Sequence, residues 1–169
     1  MEILLIRHGL AGKADPDAFP DDDLRPLTPK GCKAFKRAAE GLRRLGMDPF
    51  RILTSPAVRT RMTAEIFADG IGADRKRIAD MRELHHAIPP AKALAALARG
   101  TRKRPPRSLA LVGHEPWLGG FLSLLVAGDA RAGFEFDKGG ACLIETPSLA
   151  KGRGRLLWLM TQDQLASLG

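Results

Sequence analysis

"LLIRHGLAG", Leu4 to Gly12, runs from three apolar residues straight into Arg7, His8 and Gly9. With Glu2 and Ile3 ahead of it, the run "EILLI" is apolar at successive positions rather than alternate ones. A strand whose two faces are both apolar must be covered on both, which is the condition of a parallel strand inside an α/β fold. Such a strand ends here in a cation, an imidazole and a glycine, residue types that packing alone does not require. An acidic, proline-containing loop follows, "KADPDAFPDDDLRP".

The same grammar repeats along the chain. Thr28 reads as a helix cap with Pro29 at the first helical position, and "PKGCKAFKRAAEGLRRL" sets Phe35, Ala38, Ala39, Leu42 and Leu45 on one face before Gly46 ends it. "RILTS" (Arg51 to Ser55) is a short strand, after which Ser55 and Pro56 open the helix "PAVRTRMTAEIFA". "RIADMREL" (Arg77 to Leu84) holds a short strand and a loop, and an alanine-rich helix runs from Pro90 to Arg99. "SLALVGH" (Ser108 to His114) is another apolar strand ending in glycine and histidine, and Pro116 begins a helix to about Val126. "ACLIE" and "RLLWLM" are two further strands, and a short helix from about Gln162 to Leu168 follows. Strands alternating with helices predict an α/β sandwich with a largely parallel sheet. With no internal repeat and no linker, residues 1–169 form one domain. In such sheets ligands bind beyond the carboxyl ends of the strands. That edge would gather Arg7 and His8, Ser55 and Arg59, and His114.

The formal net charge of +8 predicts an anionic partner or substrate. Aromatic residues make up only 5% of the chain and tyrosine is absent, which leaves few side chains for base stacking and argues against nucleic acid. No apolar run approaches a membrane span and Met1 to Leu5 is too short for a signal segment, so the expectation is a cytoplasmic protein without a membrane partner. A monomer is the default for so small a chain. Cys32 and Cys142 read as packing residues: a cysteine phosphatase would place an arginine shortly after its nucleophile, where Ala38 and Ser148 stand. Two arginines and two histidines at one edge suit a tetrahedral phosphoryl group. Guanidinium forks pair with its oxygens, a neutral imidazole attacks phosphorus, and a second imidazole donates as charge shifts; no metal or other cofactor is required.

Set side by side, these motifs resemble the histidine phosphatase superfamily, also called the phosphoglycerate mutase-like fold. "RHG" after the first strand is similar to its signature, "SPAVRTRMTAEI" to its second motif, "VGHEPWL" to its third, and "LRPLTPKG" to the segment before its first long helix. The resemblance implies a three-layer α/β/α sandwich. It makes His8 the nucleophile, with Arg7, Arg59 and His114 completing the phosphate pocket. Gly9 would bring the backbone close beside the imidazole, with a carbonyl there fixing the tautomer, and Glu83 would be the proton donor. Asp15, Asp21, Asp22 and Asp23 are weaker candidates for that proton.

The short chain resembles SixA-type phosphohistidine phosphatases, which implies hydrolysis of phosphohistidine on a signalling or phosphotransfer protein. A small phosphorylated metabolite (a sugar or nucleotide phosphomonoester) is the alternative, and a basic binding module for nucleic acid or acidic protein a more distant one. The segment "TRKRPPR" (Thr101 to Arg107) would then be a solvated loop that steers an acidic phosphoprotein to the pocket. His85 and His86 lack a third spaced ligand and read as rim residues. Arg25 reads as an ion-pair partner of the acidic loop, Glu115 as a residue that orients His114 or starts a helix, and Trp117 and Trp158 as core.

Overall fold

Side chains alternate across Glu2–Arg7 (β1), and the two sets enter two different cores. Ile3 and Leu5 pack with Leu111, Leu118 and Phe121, whereas Leu4 and Ile6 pack with Phe35, Leu42 and Phe67. The computed structural model, which describes residues 1–169, explains why both sets are apolar. After β1 come α1 (Pro29–Arg44), β2 (Arg51–Thr54), α2 (Val58–Ile71), β3 (Ile78–Asp80) and α3 (Pro90–Thr101). Then follow β4 (Ser108–Gly113), α4 (Trp117–Ala127), β5 (Ala141–Glu145), β6 (Arg155–Met160) and α5 (Gln162–Ser167). Helices α3 and α4 cover one face of the sheet, and α1, α2 and α5 cover the other, giving the three expected layers.

The strand order is β3-β2-β4-β1-β5-β6. β1, β2, β3 and β4 pair in parallel, β5 runs against β1, and β6 runs against β5, so β5 alone opposes the common direction. Register does the rest. Arg7 lies opposite Gly113 and Thr54 opposite Val112, which sets His8, Ser55 and His114 side by side just past three strand ends. The backbone N–H of His8 donates to Gly113 O (3.1 Å) and that of Ser55 to Val112 O (3.1 Å), so the ladder continues into the tips.

Local chemistry accounts for the element ends. Thr28 Oγ1 accepts from Gly31 N (2.9 Å) at the start of α1, and Gly46, at φ 76°, closes that helix in the left-handed region. Thr161 and Gln164 form a reciprocal capping box on α5. The start of α2 differs from the sequence expectation. Ala57 stands at the cap without a side-chain hydrogen bond, because the Ser55 hydroxyl is turned toward His114 instead. Trp117 is buried, Trp158 is partly buried against the second core, and both cysteines are free. Burial pushes the Cys142 thiol up, so it packs as an uncharged group. No helix is long and apolar enough to cross a membrane.

The strand direction locates the basic segment. The basic segment ends at Arg107, whose carbonyl accepts from Glu2 N (2.9 Å) at the first residue of β1. It therefore lies at the amino ends of the strands, and the histidines lie at the carboxyl ends, with the full length of β4 between them.

Candidate active site

The His8 ring is fixed by the residue that follows it. Nδ1 lies 2.7 Å from Gly9 O. A carbonyl can only accept, so Nδ1 carries the proton and Nε2 keeps its lone pair. Gly9 N in turn donates to Thr63 Oγ1 (3.1 Å), and Thr63 Oγ1 donates to Arg59 O (2.7 Å) on the same helix. One threonine thus ties the nucleophile loop to the helix that carries an arginine. The backbone at Gly9 thus comes close beside the imidazole through its carbonyl, as expected, but the tightest packing of the loop lies elsewhere. A methyl there would meet only ordinary contacts, the nearest being Phe35 Cβ at 3.5 Å, whereas one on Gly31 would sit 2.1 Å from Leu10 O. It is Gly31 that lets α1 press against the segment after His8.

His114 stands beside His8 with ring centroids 5.3 Å apart, edge to face, and its Nε2 lies 2.9 Å from Ser55 Oγ. Burial, with smaller repulsion from Arg59 and then His8, lowers the His114 pKa to about 2. The His8 pKa falls to about 4, chiefly by burial, against which the Gly9 carbonyl pulls upward and the charges of Arg59, Arg7 and Arg25 add to the fall. Both rings are neutral at pH 7, the state a nucleophile needs.

Arg59 is almost fully buried near the start of α2. It donates from Nη1 to Asp22 O (2.6 Å), pairs from Nη2 with Asp22 Oδ2 (3.1 Å), and its buried Nε has no protein acceptor. Asp22 is also held by Arg25 (2.8 Å), which donates to Gly12 O (2.6 Å), so Arg25 pins the acidic loop as the sequence suggests. Arg7 donates to Phe136 O, and its buried Nε likewise has no protein acceptor. Glu115 does not orient His114. Its Oε1 accepts from Phe136 N (2.9 Å) and its Oε2 from Gly119 N (3.3 Å), and this pins the loop whose carbonyl receives Arg7.

Glu83, expected as proton donor, sits on the 3₁₀ turn Arg82–Leu84 after β3. It makes no hydrogen bond or ion pair, and the largest charges acting on His8, His86 and His114 come from other residues. Leu84 takes the inward direction of that turn and is fully buried. The structure thus gathers Arg7, His8, Arg59 and His114 but gives Glu83 no contact with them. It adds His86, whose ring lies 5.3 Å from that of His114.

The expectation that His85 and His86 lack a third ligand-bearing neighbour is also corrected, since Asp23, His85 and His86 each offer a ligand atom within 4.8 Å of the others. His85 is nevertheless complete without an ion. Its Nδ1 accepts from Ala87 N (3.2 Å), so Nε2 carries the proton and donates to Asp23 Oδ2 (2.9 Å). Ser55, placed at this edge by the sequence, is the partner of His114; Asp22, a weaker proton-donor candidate there, is instead bound to Arg59 and Arg25; Thr63 is the residue the sequence leaves without a role. It still carried a readable signal, since four residues after Arg59 it shares that helix face.

Neutral imidazoles edge to face, with buried guanidinium N–H groups around them, form a site suited to phosphoryl transfer on a histidine nucleophile. The α/β sandwich with this pocket at the carboxyl edge defines the class of phosphatases and mutases that work in that way. The chain belongs to the histidine phosphatase superfamily (branch 1), whose family model matches residues 3–88. An uncharacterized protein of Picosynechococcus sp. is 33% identical over 143 residues, which cover 83% of this chain and 82% of that protein. The solved structure of the protein histidine phosphatase SixA complexed with tungstate shares the fold with a TM-score of 0.82 and 24% identity, covering 98% of this chain and 99% of that one. The alpha-ribazole phosphatase from Shigella flexneri does so with a TM-score of 0.71 and 17% identity, covering 96% and 97%.

Proposed function

We propose that this protein is a phosphohistidine phosphatase that works through a covalent intermediate on His8. The observation that carries the reading is the His8 tautomer. With Nδ1 bound to Gly9 O at 2.7 Å, the free Nε2 lone pair stands beside His114, near the charges of the buried Arg59 and the half-buried Arg7. In the first step Nε2 attacks phosphorus, and the P–N bond of the substrate breaks with its electron pair on the departing imidazole nitrogen, which ends protonated. Arg7, Arg59 and His114 hold the three equatorial oxygens as charge spreads over them. In the second step water attacks the phosphorylated His8, the new P–N bond breaks, and inorganic phosphate leaves.

Three features support phosphohistidine as the substrate. The chain aligns with the SixA structure over nearly its whole length. Imidazole is a good leaving group, with a free pKa of about 6.5. The Asp22 and Asp23 carboxylates at the mouth attract an imidazolium and repel acidic metabolites. The partner would be a histidine-phosphorylated signalling or phosphotransfer protein in the cytoplasm. Guanidinium charge does the work that a metal does elsewhere, so activity should survive chelators.

Phosphate release from a phosphohistidine protein should be abolished in His8→Ala while circular dichroism stays native. Wild type quenched in mid-turnover should carry an acid-labile phosphoryl group that the variant lacks. Turnover at wild-type rate by His8→Ala would reject the mechanism. The likeness to alpha-ribazole phosphatase supports a second reading, hydrolysis of small phosphomonoesters. A panel of sugar and nucleotide phosphates, compared with the phosphoprotein by kcat/KM, decides between them.

A further inference from the structure

We propose that His86 is the proton donor to the leaving group, in the place that the resemblance assigns to Glu83. The inference rests on the phosphatase reading and concerns the same pocket. In-line displacement fixes where a proton must arrive. A phosphoryl group attacked by His8 Nε2 expels its leaving group on the side away from His8, toward solvent. His114 neighbours both the nucleophile and His86, with ring centroids 5.3 Å from each, and His86 is exposed to solvent.

The other titratable groups of the mouth are committed. Asp22 is clamped by Arg25 and Arg59, and its hydrogen bond to Arg25, first of all, holds its carboxyl below the usual carboxylate range. Asp23 takes the His85 hydrogen bond, and His85 uses both of its ring nitrogens. Glu83 makes no hydrogen bond or ion pair with any group of the mouth. His86 makes no hydrogen bond, lies tilted against His85 with ring centroids 4.2 Å apart, and faces the charges of Asp23, Arg59 and Asp22 besides His114. In the resting site, burial and then His85 lower its pKa. A phosphoryl dianion in the pocket acts in the opposite sense, together with Asp23 and Asp22, and loads the proton when substrate is present.

The steps balance. As the P–O or P–N bond breaks, its electron pair goes to the leaving atom, which takes the proton of the His86 imidazolium and leaves as alcohol or imidazole. Neutral His86 then accepts a proton from the water that attacks phosphorylated His8, and the imidazolium is restored.

A general acid matters most for leaving groups that cannot depart as anions. The experiment compares an alkyl phosphomonoester (glycerol 2-phosphate) with p-nitrophenyl phosphate, whose phenolate leaves unprotonated. His86→Ala should lose about 100-fold or more in kcat on the alkyl ester and stay within about threefold on the aryl ester. Added imidazole should restore part of the alkyl turnover, and Glu83→Gln should leave the ratio of the two substrates unchanged. Equal losses on both esters would overturn the proposal, as would the same split in Glu83→Gln. A wild type that cleaves the aryl ester but no alkyl ester would overturn it too. A wild type that cleaves neither ester and forms no phosphoenzyme from a phosphohistidine protein would instead bring down the phosphatase reading beneath it.

Discussion

Arg59 gives two of its N–H groups to Asp22, one to the main-chain carbonyl at 2.6 Å and one to the carboxylate at 3.1 Å. A phosphoryl group entering the pocket must therefore share this guanidinium with a carboxylate of its own sign. Arg25 holds Asp22 ionised below the ordinary carboxylate range, so lowering the pH over the working range does not relieve the competition. Asp22→Asn keeps the main-chain contact and removes the charge. Because the carboxylate is half exposed and screened, the effect should be modest: the inhibition constant for inorganic phosphate should fall by about three- to tenfold. Competition kinetics against p-nitrophenyl phosphate measures it, and an unchanged constant would mean that Asp22 swings clear of the anion. At this scale the sequence exposes cations and imidazoles at strand tips because packing does not call for them there. It conceals Asp22, one carboxylate in an acidic loop, because its pairing with Arg59 spans 37 positions of chain. It places Glu83 on the turn after β3, but spacing along a turn does not say which way a side chain points.

Helices and loops set the arginines as firmly as the strands set the histidines. The loop that receives Arg7 lies against α4 so tightly that a methyl on Gly119 would sit 2.0 Å from Phe134 O. Glu115 bridges the same two segments through Gly119 N and Phe136 N. Gly119→Ala should push the loop outward, draw Phe136 O away from Arg7, raise KM for phosphoesters and cost about 1–3 kcal/mol in stability. Gly120→Ala supplies the control. Its added methyl would meet Pro90 Cγ at 3.4 Å, an ordinary contact, and the shift to alanine within a helix is worth about 0.5–1 kcal/mol in its favour. Urea unfolding of the two variants, read with their KM values, checks the pair; equal behaviour would deny the loop its role. Most elements are legible in the sequence, since apolar runs, the Thr28 cap and the proline starts act locally. The start of α2 is not, because a distant histidine engages Ser55. The Asp23–His85 contact is not legible either, because it joins two turns 62 positions apart in the chain.

The whole molecule separates its two kinds of positive charge. Cations of the site stand at the carboxyl ends of the strands, partly offset by Asp22 and Asp23, whereas Arg102, Lys103, Arg104 and Arg107 stand at the amino ends and form no ion pair. The six residues of β4 place roughly 20 Å between the two groups. Screening at physiological salt acts over about 8 Å, so the basic segment exerts almost no field at the pocket. Composition reports the excess of +8 correctly, but a charge count carries no position, and the strand direction sets this segment far from the pocket. The variant Arg102→Gln, Lys103→Gln, Arg104→Gln should therefore keep kcat/KM on a small phosphomonoester within about twofold of wild type at physiological salt. The same measurement at low ionic strength, where the screening length grows to about 30 Å, should bring out any long-range contribution. A large fall already present at physiological salt would mean that the segment reaches the mouth of the pocket, against the strand direction that fixes both ends of β4.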